Sequence, residues 1–187
     1  MTIDRNEIAR LTEECGGVWG INHTRRLLHL VEIIGPGMAC NEEAIWLAAH
    51  MHDWGAYAPW SLPGVDHALR SVQVAEPFLA ERQCPAALKE LVLECIALHH
   101  TGGSDRSLEA ILLRDADVLD FLGVVGILRD FSKNPRDLRK AYDTIRQRRA
   151  KLPGLLHLEK ARELARQRLG EMDLVLEQFE AESFGCF

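Results

Sequence analysis

Apolar residues recur every three or four positions along most of the chain, and few runs combine β-branched residues with strict alternation, so the pattern predicts helices and no strands. A first helix is expected over about residues 2 to 15, with Ile8, Leu11 and Cys15 on one face. Gly16-Gly17 stops it, because glycine accepts the left-handed conformation of a helix cap. A second helix runs from about 18 to 34 and is broken by Gly35-Pro36-Gly37. Asn41 reads as the N-cap of a third, with Glu42 and Glu43 at its positive end, and this helix carries His52 and Asp53. Residues 55 to 65 mix Gly55, Pro59, Pro63 and Gly64 with Tyr57 and Trp60 and form a loop. Helices over about 65–82 and 85–100 follow, parted by Gln83-Cys84-Pro85, the second ending in His99-His100-Thr101-Gly102-Gly103. Ser107 caps a helix reaching about 131, Asn134-Pro135 opens another to about 151, and a last one follows Pro153-Gly154 to about 180.

Helices of this number in 187 residues bury a substantial core, and the expected fold is an all-α, single-domain helical bundle over residues 1–187. With 47% apolar and 27% charged residues the chain is globular rather than disordered or fibrous. A net charge of −6 argues against wrapping nucleic acid, which needs lysine and arginine to displace counterions, but leaves room for a small phosphorylated ligand. The five cysteines are scattered, odd in number and without a Cys-x-x-Cys pair, which suggests neither a disulfide framework nor a thiolate zinc site. The first residues hold no apolar signal region, and no stretch approaches the roughly 20 apolar residues of a membrane span. A cytoplasmic protein with no membrane partner is expected; the oligomeric state is left open.

Histidine changes the picture. Seven of the eight histidines, His23, His29, His50, His52, His67, His99 and His100, fall in the first hundred positions, mostly near helix ends. Neighbours such as His52 and Asp53 project about 100° apart on a helix, so one nitrogen and one carboxylate can reach a single cation between packed helices. Mixed imidazole and carboxylate donors suit manganese, iron, zinc, cobalt or nickel better than calcium. An adjacent His-Asp pair is common by chance, and the spacing alone is a weak sign.

The ordered set is more specific. His23-Thr24-Arg25-Arg26-Leu27, then Ala48-Ala49-His50-Met51-His52-Asp53-Trp54-Gly55, then Arg114-Asp115-Ala116-Asp117-Val118-Leu119-Asp120 resembles the HD superfamily of metal-dependent phosphohydrolases over about residues 18 to 130, with 134–180 as a C-terminal helical extension. The resemblance implies a metal site between core helices, with His23, His52, Asp53 and Asp117 as ligands and Arg26 as the arginine three residues after the first histidine. Asp117 rather than Asp115 occupies the family's Ala-Asp position. His67 and the His99-His100 pair resemble the subgroup that holds a second metal, with Asp53 as the bridge. One divalent ion (manganese, iron, magnesium, cobalt, nickel or zinc) is expected, with a weaker second position. Thr101-Gly102-Gly103-Ser104 follows the histidine pair where the cyclic-dinucleotide branch has Glu and then Gly-Tyr-Pro, and the acidic pair of the stringent-response hydrolases is missing, so neither substrate carries over.

The activity implied is hydrolysis of a phosphoester or phosphoanhydride by metal-activated water, the substrate being a nucleotide or another small phosphorylated metabolite. Asp53, Arg26 and Arg114 are the residues expected to carry it, the arginines by gripping phosphate with their planar fork of donors. Arg114 and Asp120 stand three residues either side of Asp117 and share its face, which fits a role at the site or an ordinary ion pair equally. Trp54, Tyr57 and Trp60 offer rings for stacking a nucleobase, Trp54 alternatively packing in the core. His50, His29 and His157 read as packed or surface residues. Seven basic side chains over residues 136 to 151 read as a solvated helix face, or a lure for phosphate if that helix covers the site. Two other classes fit the resemblance: a di-iron oxygenase of the same fold, and a metal-binding sensor or scaffold without turnover.

Overall fold

The computed structural model describes residues 3–100 and 106–187, and every regular element among them is helical. The helices are α1 (Arg5–Ile34), α2 (Glu42–Met51), α3 (His67–Glu81), α4 (Ala86–Leu98), α5 (Leu108–Asp120), α6 (Gly123–Lys133), α7 (Leu138–Lys151) and α8 (Glu159–Ser183), with short 3-10 turns at Trp54–Ala56 and Leu152–Leu155. The all-α expectation holds. None of these helices is long and apolar enough to cross a membrane. The first expected helical residue, Thr2, and the Thr101-Gly102-Gly103 stop lie outside the described residues.

The expected break at Gly16-Gly17 is a kink inside α1, where Gly17 has a φ of +65°. Caps fall where the sequence put them: Asn41 Oδ1 accepts from the Ala44 N–H at 3.0 Å, and Ser107 Oγ accepts from Ala110 N–H at 3.2 Å. The single helix expected over about 107 to 131 is instead two. Gly123 has a φ of +78°, and a Cβ at Gly126 would fall 2.1 Å from the Phe121 carbonyl oxygen, so the chain turns tightly between α5 and α6. The last two helices start later than expected, α7 behind its cap Asp137 and α8 behind Leu158.

The chain divides into two compact units, residues 1–114 and 115–187, the division falling within α5. In the first, α1 packs on α2, α2 on α4, and α3 on both α4 and the Trp54–Ala56 turn. Ile8, Leu27, Leu47, Met51, Trp54, Leu79 and Ile96 are fully buried there, each large apolar side chain contributing about 1.5–3 kcal/mol. Two threonines on either side of the kink bind α1 to the end of α2. Thr12 Oγ1 donates to the His50 carbonyl at 3.2 Å and Thr24 Oγ1 to the Ala49 carbonyl at 3.3 Å, satisfying acceptors that a helix C-terminus otherwise leaves open.

In the second unit α6 packs on α7 and on α8, over buried Ile127, Ala141, Ile145, Ala165 and Met172. Asp115, fully buried, receives the His157 and Leu158 N–H groups at 3.0 and 2.8 Å and so anchors the start of α8. Of the basic run on α7, Arg148 pairs with Asp130 and Arg149 with Asp173.

Candidate metal centre

Four helices of the first unit bring five histidines and one aspartate together. His23 lies on α1 beyond the kink, His52 directly follows α2, His67 opens α3, and His99 and His100 follow α4. Asp53 is held between them: the next residues form the 3-10 turn, whose Gly55 N–H donates to Ser71 Oγ at 2.8 Å. Only glycine fits at 55, since a Cβ there would lie 2.3 Å from the His67 carbonyl oxygen.

The Asp53 carboxylate divides its oxygens between two groups. Oδ2 stands 3.5 Å from His52 Nε2 and 3.8 Å from His23 Nε2, while Oδ1 stands 3.8 Å from His67 Nε2. His23, His52 and Asp53 form one set of mutually close ligand atoms, all within 4.8 Å of one another, and His67, His99 and His100 form a second. The rings themselves form a chain, with His23 to His52 centroids 5.2 Å apart, His52 to His99 4.9 Å and His67 to His99 5.1 Å.

Backbone carbonyls fix the tautomers. His52 Nδ1 donates to the Ala49 carbonyl at 3.0 Å and His99 Nδ1 to the Ile96 carbonyl at 2.7 Å, leaving both Nε2 lone pairs facing inwards. His52 Nε2 is buried and makes no hydrogen bond. A buried acceptor in that state costs free energy unless something electropositive meets it, and a divalent cation beside the Asp53 carboxylate would do so. The donor set of imidazole nitrogen and carboxylate oxygen thus fits a divalent transition metal. Burial, and then the neighbouring His99, hold the His67 imidazole below its ordinary pKa, which keeps it in the neutral form that ligates. His100 Nε2 lies 3.2 Å from Asp66 Oδ2, and Asp66 also caps α3 through the Ala68 and Leu69 N–H groups.

Of the remaining expected residues, Arg26 is half-buried on α1 three positions after His23, and Arg114 is buried at the end of the first unit. Asp117 is buried in the second unit. Asp120 pairs with Arg129 in a buried ion pair. Trp54 is a core residue, its Nε1 donating to Thr12 Oγ1 at 3.0 Å and its ring stacked on Trp60 at 4.8 Å. Tyr57 presses on α1 so closely that a Cβ at Gly16 would fall 2.5 Å from its ring. His50 faces away, its ring centroid 3.8 Å from that of Trp46 at a tilt of 30° and its Nδ1 donating to the Trp46 carbonyl. Neither the anchoring roles of Thr12 and Thr24 nor the place of Trp19 beside His23 is marked by any sequence pattern; all three are single residues whose partners come from packing.

The HD domain family model matches residues 20–122, which spans every clustered histidine and Asp117. The chain belongs to the HD-domain family. This HD domain is a metal-dependent phosphohydrolase by that membership and by its two clusters of candidate ligands, His23-His52-Asp53 and His67-His99-His100. Among solved structures it is similar to a predicted HD superfamily hydrolase from an uncultured Thermotogales bacterium, at 26% identity over 95% of this chain and 91% of that one, with a TM-score of 0.69. Bacillus subtilis YpgQ, solved in complex with ADP, shares the fold at 24% identity and a TM-score of 0.74, over 95% and 94% of the two chains. An HD-superfamily hydrolase from Bacillus thuringiensis shares it at 22% identity and 0.72, over 95% of each. No curated protein sequence matches this HD domain.

Proposed function

We propose that this HD domain hydrolyses a phosphoester or phosphoanhydride bond of a nucleotide at a centre organised by Asp53. The observation that carries the proposal is the division of the Asp53 carboxylate, one oxygen towards His23 and His52 and the other towards His67. In this reading His23, His52, Asp53 and Asp117 hold one divalent ion tightly, and His67, His99 and His100 complete a second, weaker position that shares Asp53. The buried first set and the partly exposed second set support that ranking. Manganese, iron, cobalt, nickel and zinc all suit such a mixed imidazole and carboxylate donor set.

When bound, a divalent cation lowers the pKa of water from about 15.7 towards about 7 and offsets charge on the phosphoryl oxygens. The chain's own residues supply the rest. Carbonyls of Ala49 and Ile96 keep His52 and His99 in the tautomer that points Nε2 inwards. The Thr12 and Thr24 hydroxyls hold the end of α2 against α1, so that His23 and the His52-Asp53 pair keep their spacing. Arg26 and Arg114 orient the phosphate through bidentate hydrogen bonds. ADP on YpgQ, a protein of the same fold, supports a nucleotide as the substrate class. The five scattered cysteines support a reducing, cytoplasmic setting.

The test is phosphate release from a panel of nucleoside mono-, di- and triphosphates and simple phosphoesters, with manganese, magnesium, cobalt and nickel in turn. Turnover of at least one nucleotide that stops on chelation is expected. Full metal occupancy with no release across the panel would instead make the domain a sensor or scaffold.

A further inference from the structure

The stretch of α1 that restarts after the Gly17 kink opens with two exposed apolar side chains, Val18 at 69% and Trp19 at 42% exposure. Trp19 precedes His23 by four residues, the spacing that sets two side chains on one helix face. Its ring lies 6.3 Å from the His23 imidazole, tilted by 38°. The ring therefore reaches water beside the buried imidazoles of His23 and His52, where a planar ligand can meet it. Of the neighbouring aromatic side chains, Trp54 is fully buried, Trp60 lies on Trp54, and Tyr57 lies on Gly16 and Gly20.

We propose that Trp19 is the ring platform of the site, stacking on the planar base of a nucleotide whose phosphates are held around Asp53. This deepens the phosphohydrolase reading and rests on it for the fate of the phosphates. The structure places Trp19 and His23 one turn apart on a single helix, so one rigid element would present the base-binding surface and the phosphate-binding centre at a fixed spacing. Stacking uses the π-face that every base has, so the platform predicts preference for nucleotides over ringless phosphates, with little discrimination among bases.

Isothermal titration of the whole protein in manganese, with ADP and with inorganic pyrophosphate, tests this on wild type, Trp19→Ala and Trp19→Phe. Trp19→Ala should weaken ADP by about fivefold or more while pyrophosphate stays within about twofold, and Trp19→Phe should recover most of the loss. The pyrophosphate measurement also shows that the variant is folded. An unchanged ADP affinity in Trp19→Ala, an equal loss for both ligands, or a wild type that binds ADP no more tightly than pyrophosphate overturns the platform. ADP binding that depends on Trp19 without any nucleotide hydrolysis keeps the platform and removes the hydrolytic reading, which separates the two.

Discussion

His67 Nε2 and His99 Nε2 face each other at 3.1 Å. Because His99 spends its Nδ1 proton on the Ile96 carbonyl, its Nε2 is an acceptor, and the short contact requires the proton on His67 Nε2. For both nitrogens to ligate one cation, the His67 proton must move to Nδ1, where Asp66 Oδ2 waits 3.8 Å away. Under the two-ion proposal the pair is a hydrogen bond in the metal-free protein and would become a ligand pair on metal binding.

Replacing both His67 and His99 with alanine should lower the metal content from two ions to one, since His23, His52 and Asp53 form a separate set. Elemental analysis after dialysis against excess manganese measures it. Two ions retained in the double variant would show that the second set holds none.

Asp115 and Asp117 lie on one helix about 200° apart and should answer differently to the same change. Asp115→Asn weakens the carboxylate cap on His157 and Leu158 and should cost of order 1–3 kcal/mol, read by denaturant unfolding, with metal content unchanged. Asp117→Asn should leave stability closer to wild type and strip metal. The opposite pairing of outcomes would place the ligand at Asp115.

Much of this was legible beforehand, for reasons that differ by residue. Gly16-Gly17 announced its kink because positive φ is a local property of glycine, and Asn41 and Ser107 announced their caps because a cap needs only its own next turn. The α5–α6 break was hidden: apolar periodicity runs through Leu119, Leu122 and Ile127, and Gly123 alone marked the turn. The HD resemblance named the histidines, but their contacts join residues far apart in sequence, as His67 and His99 do, and no local pattern encodes a distance. Trp54, Tyr57 and Trp60 were open to a ligand-stacking reading because composition tells which rings are near a site and not which way they face. The anchoring of α8 by Asp115 has no local signature either, since its partners lie beyond α7.

Tyr57 and Gly20 should be coupled. A Cβ at Gly20 would meet the Tyr57 hydroxyl at 2.7 Å and its ring carbon at 3.1 Å, so Gly20→Ala should destabilise by about 1–3 kcal/mol through overpacking. In a Tyr57→Phe background, where the hydroxyl is gone, the same substitution should cost clearly less. Equal costs in the two backgrounds, from thermal or denaturant unfolding, would mean that the ring does not occupy the notch.

Burial holds the His50 pKa below its ordinary value, so the folded state resists protonation. Its contribution to stability is complete above the unfolded pKa of about 6.5 and is lost as pH falls below it, because the unfolded chain then binds the proton more readily. The metal-free protein should lose stability between about pH 7 and pH 5, and His50→Gln should flatten that slope. An unchanged slope would assign the acid sensitivity to other groups.

The central claim is that one carboxylate organises the centre, and Asp53→Ala tests it most directly. Metal content and phosphate release should both fall to background in this variant while its helical circular dichroism matches wild type, since Asp53 lies in the turn after α2 and caps nothing through its side chain. A folded Asp53→Ala protein that keeps its full metal content and its wild-type turnover would contradict the account.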